Sequence, residues 1–213
     1  DLIDAGSDLT LCQGEEVQIS ASAQYYASIQ WTKQGGSGVL LNTDSLSPIY
    51  QSSPDDVGTI TLTMTAQPLD ANGVACGGPV SDEIKLLVGE TPTVEVGANA
   101  TICEGESFSF ENGRVSATEY SNLIWTAVGQ GDGSFSGGNS TTPTYTPGPF
   151  DKGNGSVVLR LTATPNEPCT TPAVDEMTLF ITQTPEVYAG EDVSLCEDQN
   201  VLVVQDATAT NHE

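Results

Sequence analysis

The chain has 213 residues, with 29 acidic against 5 basic side chains and a formal charge of −24. A field of that sign repels phosphate backbones and anionic lipid, which argues against nucleic-acid binding and direct membrane-surface binding. Long apolar runs are absent, so no transmembrane helix or membrane insertion is expected, and Asp1 opens inside a repeat without a signal peptide.

In chain order, Val17, Ile19 and Ala21 mark an early strand and Ile29–Trp31 the next. Ile60, Leu62, Met64 and Ala66 then alternate with Thr59, Thr61, Thr63 and Thr65, the pattern of a half-buried strand with one apolar and one threonine face. Ile84, Leu86 and Val88 alternate in the same way. The series then restarts with Phe108 and Phe110, Leu123–Trp125, Val157–Leu159–Leu161–Ala163, and Met177–Leu179–Ile181. Gly-rich turns separate the strands, and no stretch carries an amphipathic helix of three turns.

The restart is a repeat. Cys12, Gly14, Trp31, Pro48, Tyr50, Ala66, Cys76 and Glu83 recur as Cys103, Gly105, Trp125, Pro143, Tyr145, Ala163, Cys169 and Glu176. Thr184, Pro185, Gly190 and Cys196 open a third copy. A period of about 90 residues suits a small β-sandwich. The expected organisation is all-β: tandem immunoglobulin/PKD-like sandwiches over 1–90 and 91–183, with 184–213 starting an incomplete third. Linkers at Gly89–Pro92 and Gln183–Pro185 are short and contain proline, which limits bending and predicts modules standing end to end. Trp31 and Trp125, with Tyr50 and Tyr145, are read as the bulky plug between sheets.

Five cysteines at repeat spacing, without clustered Cys/His ligands, point to disulfides and an oxidising compartment. The repeat favours Cys12–Cys76 and Cys103–Cys169, each closing a loop of about 65 residues worth roughly 4 kcal/mol in the chain-entropy model. Cys196 then pairs beyond the segment. In an ordinary immunoglobulin topology Cys12 and Cys76 fall at opposite ends of the sandwich, and the inter-module alternative is Cys12–Cys169.

No catalytic residues are expected. His212 is the only histidine, and the acidic pair Asp55–Asp56, aligned with Phe150–Asp151, reads as a solvated turn because the second copy does not repeat the pair. No cofactor is required. Structural calcium is a weak option, with Asp4, Asp8, Glu15 and Glu16 near one turn as its oxygen ligands. Tyr25, whose counterpart is Glu119, is the candidate ligand contact outside the core pattern.

The strings DAGSDLTLCQGE (Asp4–Glu15) and VGANATICEGE (Val96–Glu106), with YSNLIWT and TPTYTP, resemble the repeats of giant cell-surface adhesins of Bacteroidota. The nearest resemblance is to the SprB-type gliding-motility adhesins of flavobacteria. It covers essentially the whole chain. It implies type IX secretion, display on the outside of the outer membrane, an external surface or polysaccharide as partner, and contact with the gliding and secretion machinery through other parts of the chain. The expected function is a disulfide-stabilised stalk segment of a filamentous adhesin serving attachment and gliding. The alternative is a polysaccharide- or protein-binding module of a secreted surface protein.

Overall fold

The computed structural model describes residues 2–71, 74, 75, 77–194, 197, 201, 203, 204 and 206–210. The fold is all-β, and among the described residues the one helix is the six-residue Pro149–Asn154.

In the first copy one sheet runs in the order Leu9–Cys12, Val80–Gly89, Gly58–Pro68, Tyr26–Gln34. Gly58–Pro68 lies antiparallel to both neighbours, pairing Leu62 with Ile84 and Met64 with Trp31. Leu9–Cys12 joins the edge in parallel, with Leu9 opposite Leu86 and Cys12 opposite Gly89. A second sheet has Ile49–Gln51 between Glu16–Gln18 and Val39–Leu41. The alternation explains the core: Ile60, Leu62, Met64, Ala66, Ile84, Leu86 and Val88 all point inward and are buried, together with Ile19, Trp31 and Tyr50.

The second copy repeats this arrangement. Its four-stranded sheet is Ala100–Cys103, Ala173–Thr182, Ser156–Pro165, Tyr120–Ala127, and Cys103 faces Thr182 as Cys12 faces Gly89. Its three-stranded sheet is Phe108–Ser109, Thr144–Thr146, Ser134–Ser136. The filling differs, because Phe108, Phe110, Trp125, Phe135 and Tyr145 form a run of ring contacts with centroids 4.4–5.7 Å apart. Aliphatic Val17, Ile19 and Leu40 serve the first copy instead. Further along the chain Glu186–Tyr188 pairs with Thr208–Thr210.

The chain forms two compact units: residues 1–94 with 117–123 and 162–174, and residues 95–116 with 124–161 and 175–213. The first unit therefore includes Cys169 and the loop that carries it.

Candidate functional site

Two constellations stand out. The first is a disulfide inside the first compact unit. Cys12 ends its strand and enters a tight turn in which Glu15 N–H donates to the Cys12 carbonyl at 3.1 Å. Gly14, at φ +75°, supplies the left-handed residue this turn needs. The Glu15 carboxylate accepts the Cys12 N–H at 3.0 Å, and Gln13 N–H donates to the Gly89 carbonyl at 3.0 Å. Gln13 Oε1 in turn accepts from the Thr91 N–H and hydroxyl at 2.9 and 3.2 Å, tying the linker to the turn. Cys12 is bonded to Cys169 across a sequence separation of 157, with Cα atoms 4.9 Å apart, and both residues are buried. Beside the bond, the Pro168 ring packs so closely on Gly89 that a Cβ there would lie 2.5 Å from Pro168 Cδ.

This corrects the favoured pairings Cys12–Cys76 and Cys103–Cys169; the bond formed is the inter-module alternative, Cys12–Cys169. Because Cys12 and Cys169 are bonded to each other, neither is available to a cysteine of its own copy, and the parallel register sets Cys12 opposite Gly89 at the linker end of its sheet. Cys76 and Cys196 lie outside the described residues. Cys103 is an exposed free thiol. Alkylation without reductant should therefore modify Cys103 at once and leave Cys12 and Cys169 untouched, in denaturant as well, until a reducing agent breaks their bond; mass mapping of the labelled peptides checks this.

The second constellation is a buried carboxylate that each copy clamps under a tyrosine. The Tyr50 hydroxyl donates to Asp56 Oδ2 at 2.6 Å, and the Tyr145 hydroxyl donates to Asp151 Oδ2 at 2.6 Å. Asp56 also accepts from the backbone N–H groups of Ser37, Gly38 and Ser53 at 2.5 to 3.3 Å and from the hydroxyls of Ser37 and Ser52. Asp151 likewise accepts from Asp132, Gly133 and Gly148 N–H. Both aspartates are 1% exposed. The reading of Asp55–Asp56 as a solvated turn is thus corrected: Asp55 is exposed, but Asp56 is buried and matched by Asp151. The legible signal was the spacing, since each aspartate lies six residues after its tyrosine.

Burial pushes the Asp56 carboxyl up, but the donors, Tyr50 first and then the Ser37 and Ser53 amides, outweigh it and hold the group well below the usual carboxylate range. Burial and then the hydrogen bond to Asp56 push the Tyr50 phenol above its usual value. A carboxylate saturated in this way positions a loop; it has no free lone pair for acid–base chemistry. The loop must also come close. A Cβ at Gly38 would lie 2.5 Å from the Tyr50 hydroxyl and 2.7 Å from Asp56 Oδ2. Gly38→Ala should therefore lift the loop and lower stability by about 1–3 kcal/mol, measured by urea denaturation.

Trp31, Trp125, Tyr50 and Tyr145 are buried, and both indole N–H groups donate to a loop carbonyl, Trp31 to Ser45 at 2.9 Å and Trp125 to Ser140 at 3.0 Å. The four calcium candidates do not converge. Asp4 accepts from Gly6 N–H, Asp8 from Lys85 N–H, Glu15 from Cys12 N–H and Glu16 from Gln51 Nε2. Among the described residues no group of three or more His, Cys, Asp or Glu could hold a metal ion. Tyr25 is 74% exposed at φ +59°, on the rim of an open groove of about 500 Å³ lined by Leu2, Tyr26, Pro68, Leu69 and Val80. Its counterpart Glu119 keeps the left-handed backbone, at φ +51°, without the ring.

The fold defines a tandem β-sandwich protein. No family model and no curated protein matches the chain. Among solved structures it is similar to the Drosophila N-cadherin ectodomain repeats 1–4 (14% identity, 83% of this chain and 47% of that one, TM-score 0.43). It is also similar to mouse cadherin-23 repeats 22–24 (12% identity, 85% and 64%, TM-score 0.44) and to the human desmocollin-1 ectodomain (12% identity, 86% and 42%, TM-score 0.37). The chain thus spans less than two thirds of the length of each. No helix among the described residues is long and apolar enough to cross a membrane.

Proposed function

We propose that this chain is a load-bearing stalk segment of a cell-surface adhesin, built from serial sandwich modules over 1–90 and 91–183 with a third opening at 184. The observation that carries this reading is the Cys12–Cys169 bond. Tension applied at the two ends enters at Cys12, crosses the sulfur–sulfur bond and leaves at Cys169, so the intervening residues are bypassed. The repeat copies what holds shape: the Trp and Tyr plugs, the Tyr–Asp clamps and the sheet alternation. A single catalytic pocket does not benefit from such copying. The acidic surface keeps a long filament dispersed and guards its sheet edges.

The resemblance to Bacteroidota adhesin repeats supports the finer reading: export by type IX secretion, display on the outer-membrane exterior, a role in attachment and gliding, and engagement of the gliding and secretion machinery through other parts of the protein. Antibodies raised against this segment should label intact, unpermeabilised cells of the source organism and reduce their attachment to glass. Labelling confined to permeabilised cells contradicts the reading.

One observation favours a second reading, a binding module. The apolar groove beside Tyr25 offers an exposed ring for stacking on a sugar or a partner side chain. Binding on a glycan array that disappears in Tyr25→Ala, with thermal stability unchanged, supports that role; an array without signal removes it.

A further inference from the structure

The disulfide and the free thiol occupy the same place in successive copies. Cys103 faces Thr182 in parallel register as Cys12 faces Gly89. Its N–H donates to the Glu106 carboxylate at 3.0 Å, matching Cys12 and Glu15. Glu104 N–H donates to the Thr182 carbonyl at 2.8 Å, matching Gln13 and Gly89, and Glu106 N–H closes the same turn onto the Cys103 carbonyl at 3.1 Å. The residues that follow also correspond, with Gln183-Thr184-Pro185 standing where Glu90-Thr91-Pro92 stands, before a third copy opens. In the first copy this geometry presents its sulfur to the hairpin cysteine of the next module. In the second it presents an exposed thiol.

We propose that Cys103 is the linking thiol of the same staple one repeat further on. Its partner is the cysteine that a following copy of the module places where Cys169 stands in the second. The proposal rests on the serial-module reading above and extends it from one bond to a ladder, in which every module is bonded to the next and none within itself. The oxidant is a small-molecule disulfide such as oxidised glutathione. The Cys103 thiolate attacks one of its sulfurs and expels a glutathione thiolate. The partner thiolate then attacks Cys103 Sγ and expels the second. Two protein S–H bonds and one glutathione S–S bond are replaced by one protein S–S bond and two glutathione S–H bonds, the two protons passing to the leaving thiolates.

The test uses the full chain with a duplicate of residues 91–183 inserted after Gln183, folded in a glutathione redox buffer. The expected result is a cross-linked peptide joining Cys103 to the inserted copy of Cys169, with alkylation of Cys103 falling from complete in the parent chain to trace. Cys103→Ser should remove that peptide and leave Cys12–Cys169 intact. The proposal is overturned if Cys103 alkylates fully in the duplicated protein while Cys12–Cys169 is formed. A parent-chain control guards against an insertion that fails to fold. In the unmodified chain Cys103 should remain a free thiol or a glutathione adduct, and a bond from Cys103 to Cys76 or Cys196 there also overturns the proposal. Neither outcome depends on the cell-labelling result, so failure of the ladder and failure of the surface-stalk reading are distinguishable.

Discussion

Replacing Cys12 and Cys169 together by alanine is expected to cost up to about 5 kcal/mol, because the bond closes a loop set by a sequence separation of 157 in the unfolded chain. At about 2–4 °C per kcal/mol for a protein of this size, the melting temperature should fall by about 10–20 °C. The bond is buried and held between the Glu15-closed turn and the Pro168 loop, so its removal takes a constraint from the unfolded ensemble while leaving the two cores in place. Far-UV circular dichroism should therefore show an unchanged native spectrum with an earlier transition. A transition that does not move would mean that the junction is held by packing alone.

Asp56→Ala is expected to destabilise by about 3–5 kcal/mol, since it strands the Tyr50 hydroxyl and the Ser37, Gly38 and Ser53 amides around a cavity. Tyr50→Phe should cost less, about 1–2 kcal/mol, because the carboxylate keeps its amide donors. The pH dependence follows from the direction of the shift. Asp56 is depressed below its ordinary 3.8, so its contribution is complete above that value and is lost as pH falls through the lower folded value. Tyr50 is raised above its ordinary 10.0, so its contribution is present below that value and is lost as pH rises through the higher folded value. Urea titrations should show wild-type stability falling on acidification below about pH 4, and an Asp56→Asn protein should lose part of that slope. Equal slopes in the two proteins would mean that the buried Asp56 carboxylate contributes nothing to the acid dependence of stability.

The strands were legible because burial on one face writes a period of two. Ile60 to Ala66 and Val157 to Ala163 carry it without interruption, and all eight of these inward positions are buried. The plugs were legible because a Trp or Tyr at fixed repeat spacing has few roles in a sandwich other than filling it. The Cys12–Cys169 bond was legible only as the inter-module alternative and not as the favoured pairing, because the parallel edge pairing of Leu9–Cys12 with Val80–Gly89, which carries Cys12 to the linker end, leaves no local mark. Asp56 was missed for a different reason. The second copy replaces the Ser53–Asp56 turn with the helix Pro149–Asn154, so the neighbouring acid disappears and the pair no longer matches. The aspartate itself keeps its distance from the tyrosine. The calcium candidates were acidic residues close in sequence, but each spends its oxygen on a nearby N–H group instead of converging on a common point.

If tension crosses the chain through Cys12–Cys169, pulling single molecules from their termini reads out the length of chain that the bond withholds. Alkylated Cys12→Ala protein should unfold to a contour length about 500–560 Å greater than the wild type, the residues freed by a separation of 157 at about 3.3–3.6 Å each. A gain of only about 210–230 Å, that of a loop of about 65 residues closed within one module, or no gain at all, would contradict it.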